Sequence, residues 1–95
     1  MIELLTHPTP NPNSLKITAP EHRFIESGME SFNSSEEATK HPLGRRLFVH
    51  SGVANVLILP DFLTITKEPS ADWTLLLPEI EQTLRSYFED HGARA

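Results

Sequence analysis

The side chains that could do chemistry in this chain are few and scattered. Its five histidines are His7, His22, His41, His50 and His91. No two stand three or four residues apart, so no turn of helix can present two imidazoles to one ion. His22 and Glu26 have helical spacing, but they lie in a segment, Pro20 to Ser31, that Gly28 interrupts and only Phe24 and Ile25 anchor. The histidines read as dispersed and solvated. Nucleophilic catalysis needs an activated nucleophile, a base and an orienting group. The serines Ser31, Ser34, Ser35 and Ser51 instead occupy turn and cap positions that already explain them. The four glycines are too widely spaced to form a phosphate-binding loop. Cysteine is absent, which excludes disulfides, thiolate metal sites and thiol nucleophiles. The expectation is a protein that is not an enzyme, with no catalytic residue and no metal ligand set.

What remains is a surface suited to recognition. Pro8, Pro10 and Pro12 alternate with Thr9 and Asn11 in the run Thr9-Pro10-Asn11-Pro12-Asn13-Ser14. Each proline fixes its own φ and restricts the residue before it. Each asparagine side chain can imitate a backbone turn. The run is therefore a rigid polar loop, either closing a hairpin or presenting a fixed surface. Asn11, Asn13, Ser14 and Lys16 are its candidate partner-binding residues. Phe62, on a strand face that is otherwise threonine, and Lys67, on the same strand, join them as candidates. Lys40, Arg45 and Arg46 form a basic patch, with Lys16 and Lys67 placed to extend it across the sheet edge. A solvated helical face explains that patch more simply than an acidic partner does.

The elements that must position these residues follow from length and pattern. Ninety-five residues support one core, and a single domain over 1–95 is expected. The hydrophobic share of 38% is enough to build that core. A net charge of -5 runs against binding nucleic acid or anionic membranes. No apolar run approaches the ~20 residues that span a bilayer. The acidic start, Met1-Ile2-Glu3, has no basic leader character, so a cytoplasmic location is expected.

Ile2 to Thr6 reads as a first strand, and Leu15 to Ala19, alternating, as a second. Met29 to Phe32 could add a short edge strand. Ser34 and Glu37 fit a capping box at the start of a helix that Pro42 must break. Pro42 suits the first turn of a second helix, Leu43 to His50, with Gly52 as its stop. Val53 to Leu59 is a buried strand. It forms a hairpin with Phe62 to Lys67 through the Pro60-Asp61 turn. Trp73, Leu76, Leu77, Ile80, Leu84, Tyr87 and Phe88 make one apolar stripe on a last helix, read as core. Asp72 caps that helix, Pro78 kinks it or marks its true start, and Gly92 ends it. The order is β-β-α-β-β-α. The fold class is α+β: a two-layer sandwich with a largely antiparallel sheet of about four strands and helices on one face. Lys16, Thr18, Thr64 and Thr66 should then line the opposite face.

The run Thr9 to Lys16 resembles the opening signature of the N-terminal domain of the Nfu/NifU-like iron–sulfur proteins. The resemblance continues through Pro42-Leu43, Leu47-Phe48, Gly52-Val53, Asp61 to Lys67 and Asp72-Trp73, in order, from about Thr6 to Phe88. It implies a role in iron–sulfur cluster assembly or delivery, as an accessory or interaction module whose partner is a cluster carrier or a client protein. In full-length members a separate domain with a CxxC motif holds the cluster. Iron binding attaches to the family in that way. This chain has no thiolate for it, and its cofactor expectation is none, with the cluster held by a partner. The alternative is a stand-alone regulatory or small-ligand-binding domain unrelated to cluster assembly. Anaerobic reconstitution of the isolated chain with iron and sulfide should leave no stoichiometric cluster after desalting, as read by absorption. A cluster that survives would refute the expectation.

Overall fold

The computed structural model describes residues 2–90. Its elements are β1 (Leu5–Pro8), β2 (Ser14–Thr18), β3 (Glu30–Phe32), α1 (Pro42–Phe48), β4 (Val53–Ile58), β5 (Phe62–Lys67) and α2 (Trp73–Asp90). The strands form one antiparallel sheet in the order β1-β2-β5-β4-β3. The two-layer α+β class stands. The sheet has five strands, because the short edge strand forms at Glu30–Phe32 against β4.

The pleat decides which residues face the helices. Ile17 pairs with Leu63, which pairs with Ile58; Leu15 pairs with Ile65, which pairs with Val56. Successive residues of a strand point to opposite faces, so these two rows share one side of the sheet. Five of the six side chains are completely buried, and Leu15 is half-buried in the same row. The helix α2 lays Leu76, Ile80, Leu84 and Phe88 onto that side, one residue per turn of a single stripe. Leu43 and Leu47 of α1 complete the layer.

Several local expectations give way to tertiary structure. β1 runs from Leu5 to Pro8 and not from Ile2, whose carbonyl accepts a hydrogen bond from Arg85 Nε at 3.2 Å instead. Half of the capping box expected at Ser34 and Glu37 forms, and the other half shifts by one residue. Glu37 N–H donates to Ser34 Oγ at 3.2 Å, and its carboxylate reaches back to Asn33 N–H at 2.7 Å. No α-helix grows from them: residues 35–40 are turns, because Pro42 lacks the N–H that would continue the ladder. Pro78 lies inside α2, which starts at Trp73, and both Pro78 and Thr74 are exposed, so water can serve the carbonyl that the proline leaves unpaired. Asp72 caps this helix, its Oδ1 accepting from Thr74 N–H at 2.9 Å. The proposed stop at Gly92 lies outside the described residues.

The histidines among the described residues are not simply solvated. His22 stacks on Phe88 with ring centroids 4.8 Å apart. His50 shares a hydrogen bond with Thr83 and faces the Glu79 carboxylate at 3.4 Å. His41 is the N-cap of α1: its Nδ1 accepts the Gly44 N–H at 3.1 Å, and its ring lies against Phe32. Gly44 itself is held to hydrogen at Cα by packing, since a Cβ there would come within 2.9 Å of the Phe32 ring and 3.2 Å of Ala38.

Burial pushes the His41 imidazole below its ordinary value, against a smaller opposing pull from Glu30. A nitrogen that accepts the cap hydrogen bond cannot also carry a proton, so geometry and burial both favour the neutral ring. The folded value therefore lies below the unfolded one of 6.5. The stabilisation is fully present above that pH and is lost as pH falls through the folded value. His41→Asn, which keeps a capping oxygen, should flatten this loss. Urea midpoints across that pH range, for wild type and variant, provide the check; parallel profiles would contradict the cap.

Candidate functional site

The loop from Thr9 to Ser14 is locked by its own polar groups. Thr9 Oγ1 donates to Asn11 O at 2.9 Å, and Asn13 N–H donates to Asn11 Oδ1 at 2.9 Å, forming an Asx turn. Ser14 N–H closes onto Asn11 O at 2.9 Å. The loop is also tied to the neighbouring end of β5. Lys67 N–H donates to Asn13 O at 2.7 Å, and Lys67 Nζ donates to Asn13 Oδ1 at 3.1 Å. From α2, the Trp73 indole N–H donates to Pro12 O at 3.2 Å. Trp73 is therefore half-buried with its polar edge on the loop, and not a simple core residue as its place in the stripe suggests.

The sequence candidates fall into two adjoining groups. Asn11, Asn13 and Lys67 sit together at the loop end of the β2–β5 pair. Ser14, Lys16 and Phe62 lie on the sheet face that the helices leave open. Ser14 bridges the groups: it is 8% exposed, and its hydroxyl shares a 2.7 Å hydrogen bond with Thr66. Lys16 Nζ stands 4.7 Å from the centre of the Phe62 ring, a cation–π contact that holds the ammonium over an apolar plate. Thr18, Thr64 and Thr66 share this face with Lys16, as the alternation requires.

One grouping drawn from the sequence does not form. Lys16 and Lys67 do not extend the basic patch of Lys40, Arg45 and Arg46. Lys16 is on the opposite side of the sheet from α1, and Lys67 is bound to Asn13. Arg46 is itself engaged, meeting Asp90 at 3.2 Å and the Tyr87 ring. Other open-face neighbours of the site were not among the candidates. His7 pairs with Lys16 and bonds Thr18 Oγ1 at 3.1 Å, while Thr64 and Leu57 continue the row beyond Lys16. Alternation in the sequence places Thr18, Thr64 and Thr66 on this face, and the same alternation carried into β4 was the signal that could have found Leu57.

Chemistry beyond recognition finds little purchase. Among the described residues no three His, Asp or Glu side chains converge to hold a metal ion, and the chain has no cysteine, so its donor set does not suit an iron–sulfur cluster. A groove of about 450 Å³ runs between α1 and α2, lined in part by Arg46, Val49, His50 and Thr83, but its imidazole is already occupied by Thr83 and Glu79.

A small two-layer α+β fold with one free sheet face and a rigid loop at its end is the class that these features define. The chain belongs to the family described as scaffold protein Nfu/NifU N terminal, whose model matches residues 3–91. It is 43% identical over 84 residues to the human NFU1 iron-sulfur cluster scaffold homolog, mitochondrial, covering 87% of this chain and 33% of that protein. It is 34% identical over 83 residues to the Arabidopsis thaliana NifU-like protein 5, mitochondrial, covering 87% and 30%. The chain thus spans about a third of the length of these curated relatives. The solution structure of a NifU-like protein from Saccharomyces cerevisiae matches with a TM-score of 0.78 at 27% identity, covering 90% of this chain and 76% of that one. A Staphylococcus aureus protein solved by X-ray crystallography matches at 0.70 and 25% identity, covering 84% and 94%.

The names of the curated relatives correct the cytoplasmic expectation, since they place those proteins in mitochondria. The physical reason is that composition and an acidic start describe a folded body, whereas compartment is set by address segments that contribute nothing to that body.

Both asparagine oxygens in the loop accept hydrogen bonds, so each side chain has a structural role whatever else it does. Asn11→Ala and Asn13→Ala should each lower stability by about 1 kcal/mol. Urea denaturation followed by Trp73 fluorescence measures this directly, and unshifted midpoints would show that the loop does not need these bonds.

Proposed function

We propose that this chain is a non-enzymatic interaction module serving iron–sulfur cluster assembly or delivery, and that it acts as one domain. The face it would present to a carrier or client protein is built from Asn11, Asn13, Ser14, Lys16, Phe62 and Lys67. The cluster itself would be cargo on cysteines supplied elsewhere. The observation that carries this reading is the preformed loop. Its backbone is already held by Thr9, Asn11, Lys67 and Trp73, so a partner would meet a surface with little conformational entropy left to lose. Both amide nitrogens, Asn11 Nδ2 and Asn13 Nδ2, have no partner among the described residues and remain available as donors. Family membership supports the cluster-assembly context, because relatives are named as iron–sulfur scaffold proteins.

Affinity capture with the tagged chain, followed by mass spectrometry, tests the reading. The expected catch contains proteins that carry or receive iron–sulfur clusters, and Lys16→Glu loses them while folding normally, with a stability change within about 0.5 kcal/mol. If a folded Lys16→Glu protein retains every partner, this surface is not the interface. If no cluster-handling protein is recovered, the assembly context fails.

A further inference from the structure

The open face has a chemistry more specific than a free surface. Recognition by strand addition is disfavoured, because both sheet edges are blunted. β1 ends on Pro8, which has no N–H to donate, and β3 is only three residues long. The other face is covered by α1 and α2. The open face is therefore the remaining broad surface of the sheet.

Its charge is unusual for this chain. The protein carries 13 acidic residues and a net charge of -5, yet no acidic residue lies on the open side of any strand. Glu30, the one carboxylate within the strands, falls in the row of Ile58 on the helix side. On this acid-free face stands Lys16, which forms no ion pair among the described residues and is held over Phe62. Directly opposite it in the register is Thr64, half-buried, whose hydroxyl has no hydrogen-bond partner among the described residues. Leu57 follows Thr64 in the same row. A fixed ammonium and a free hydroxyl on adjacent strands, flanked by Phe62 and Leu57, match a carboxylate set between apolar side chains.

We infer that the open sheet face docks an acidic segment of a protein partner, one Asp or Glu of which accepts from Lys16 Nζ and Thr64 Oγ1 while apolar neighbours rest on Phe62 and Leu57. This rests on the interaction-module reading and names the chemistry of its partner. The match is one of charge complementarity: a chain of net charge -5 disfavours acidic partners in general, and a face from which its own carboxylates are withdrawn, with an unpaired ammonium on it, favours them locally.

The test is a two-dimensional amide NMR titration of the isotope-labelled chain with acetyl-Leu-Glu-Leu-Thr-amide and with the same peptide carrying Gln for Glu. The Glu peptide should shift amides of β2 and β5 around Lys16 and Thr64, at millimolar concentration and less strongly as salt is raised. The Gln peptide should bind about threefold to fivefold more weakly, as should the Glu peptide to Lys16→Met, which keeps the aliphatic stem on Phe62. Lys16→Arg should recover binding, and Thr64→Val should weaken it. Equal binding of the two peptides, shifts confined to α1 and α2, or no shift at all would overturn the inference. So would identical shifts with sodium acetate, which would reduce the site to a simple anion contact. Concentration-dependent shifts of the same amides without peptide, with a dimer seen by sedimentation, would assign the face to a second copy and equally overturn it. If peptide binding fails while capture of cluster-handling proteins still depends on this surface, only the acidic chemistry is wrong. If the peptide binds as stated but no cluster-handling protein is captured, only the assembly context is wrong.

Discussion

The register of β2 against β5 is the constraint on which everything else hangs. Ile17 opposite Leu63, and Leu15 opposite Ile65, put the apolar set of both strands beneath α2. The same pairing puts Lys16 opposite Thr64 and Ser14 opposite Thr66 on the other side. Because the side-chain period of a strand is two, core and open face are one decision. A slip of a single residue would bury Lys16 and expose Ile17 together. The loop reinforces the choice, since the bonds from Lys67 to Asn13 grip the end of the pair where a slip would begin. Stability and surface chemistry are therefore coupled here through geometry.

How much of this was legible in the sequence depended on whether a signal was local. Alternation in Phe62–Lys67 and the apolar stripe from Trp73 to Phe88 are local periodicities, and both elements stand where their patterns place them. The helix expected after Ser34 is the instructive miss. Its cap chemistry is real, but a cap supplies only about 1 kcal/mol, which cannot offset a proline that denies the ladder its next donor. The short β3 strand was only faintly legible because three residues carry almost no periodic signal. Its existence is fixed by β4, more than twenty residues away in sequence.

For the candidate site, composition singled out a loop that the fold does hold rigid, but its long-range partners were invisible. That Lys67 belongs to Asn13, and not to the basic cluster on α1, follows from a pairing across 54 residues. That Trp73 turns its indole nitrogen to the loop could not be read from a stripe that marks it as core. The histidines teach the same lesson. Spacing correctly showed that no two share a helix turn, yet His41 and His50 owe their surroundings to contacts that spacing does not encode.

The bond from Trp73 to Pro12 joins the first residue of the last helix to a loop 61 residues earlier. It makes a mechanical unit of two segments that would otherwise move separately. Any force that displaces the loop pulls on the N-terminal turn of α2, and with it on the helix that roofs the core. Since Trp73 is the chain's single tryptophan, the joint also carries its own optical label. A change in the loop on meeting a partner would register in the indole without any added dye, so the molecule reports on a segment that its hydrogen bonds tie to both β5 and α2.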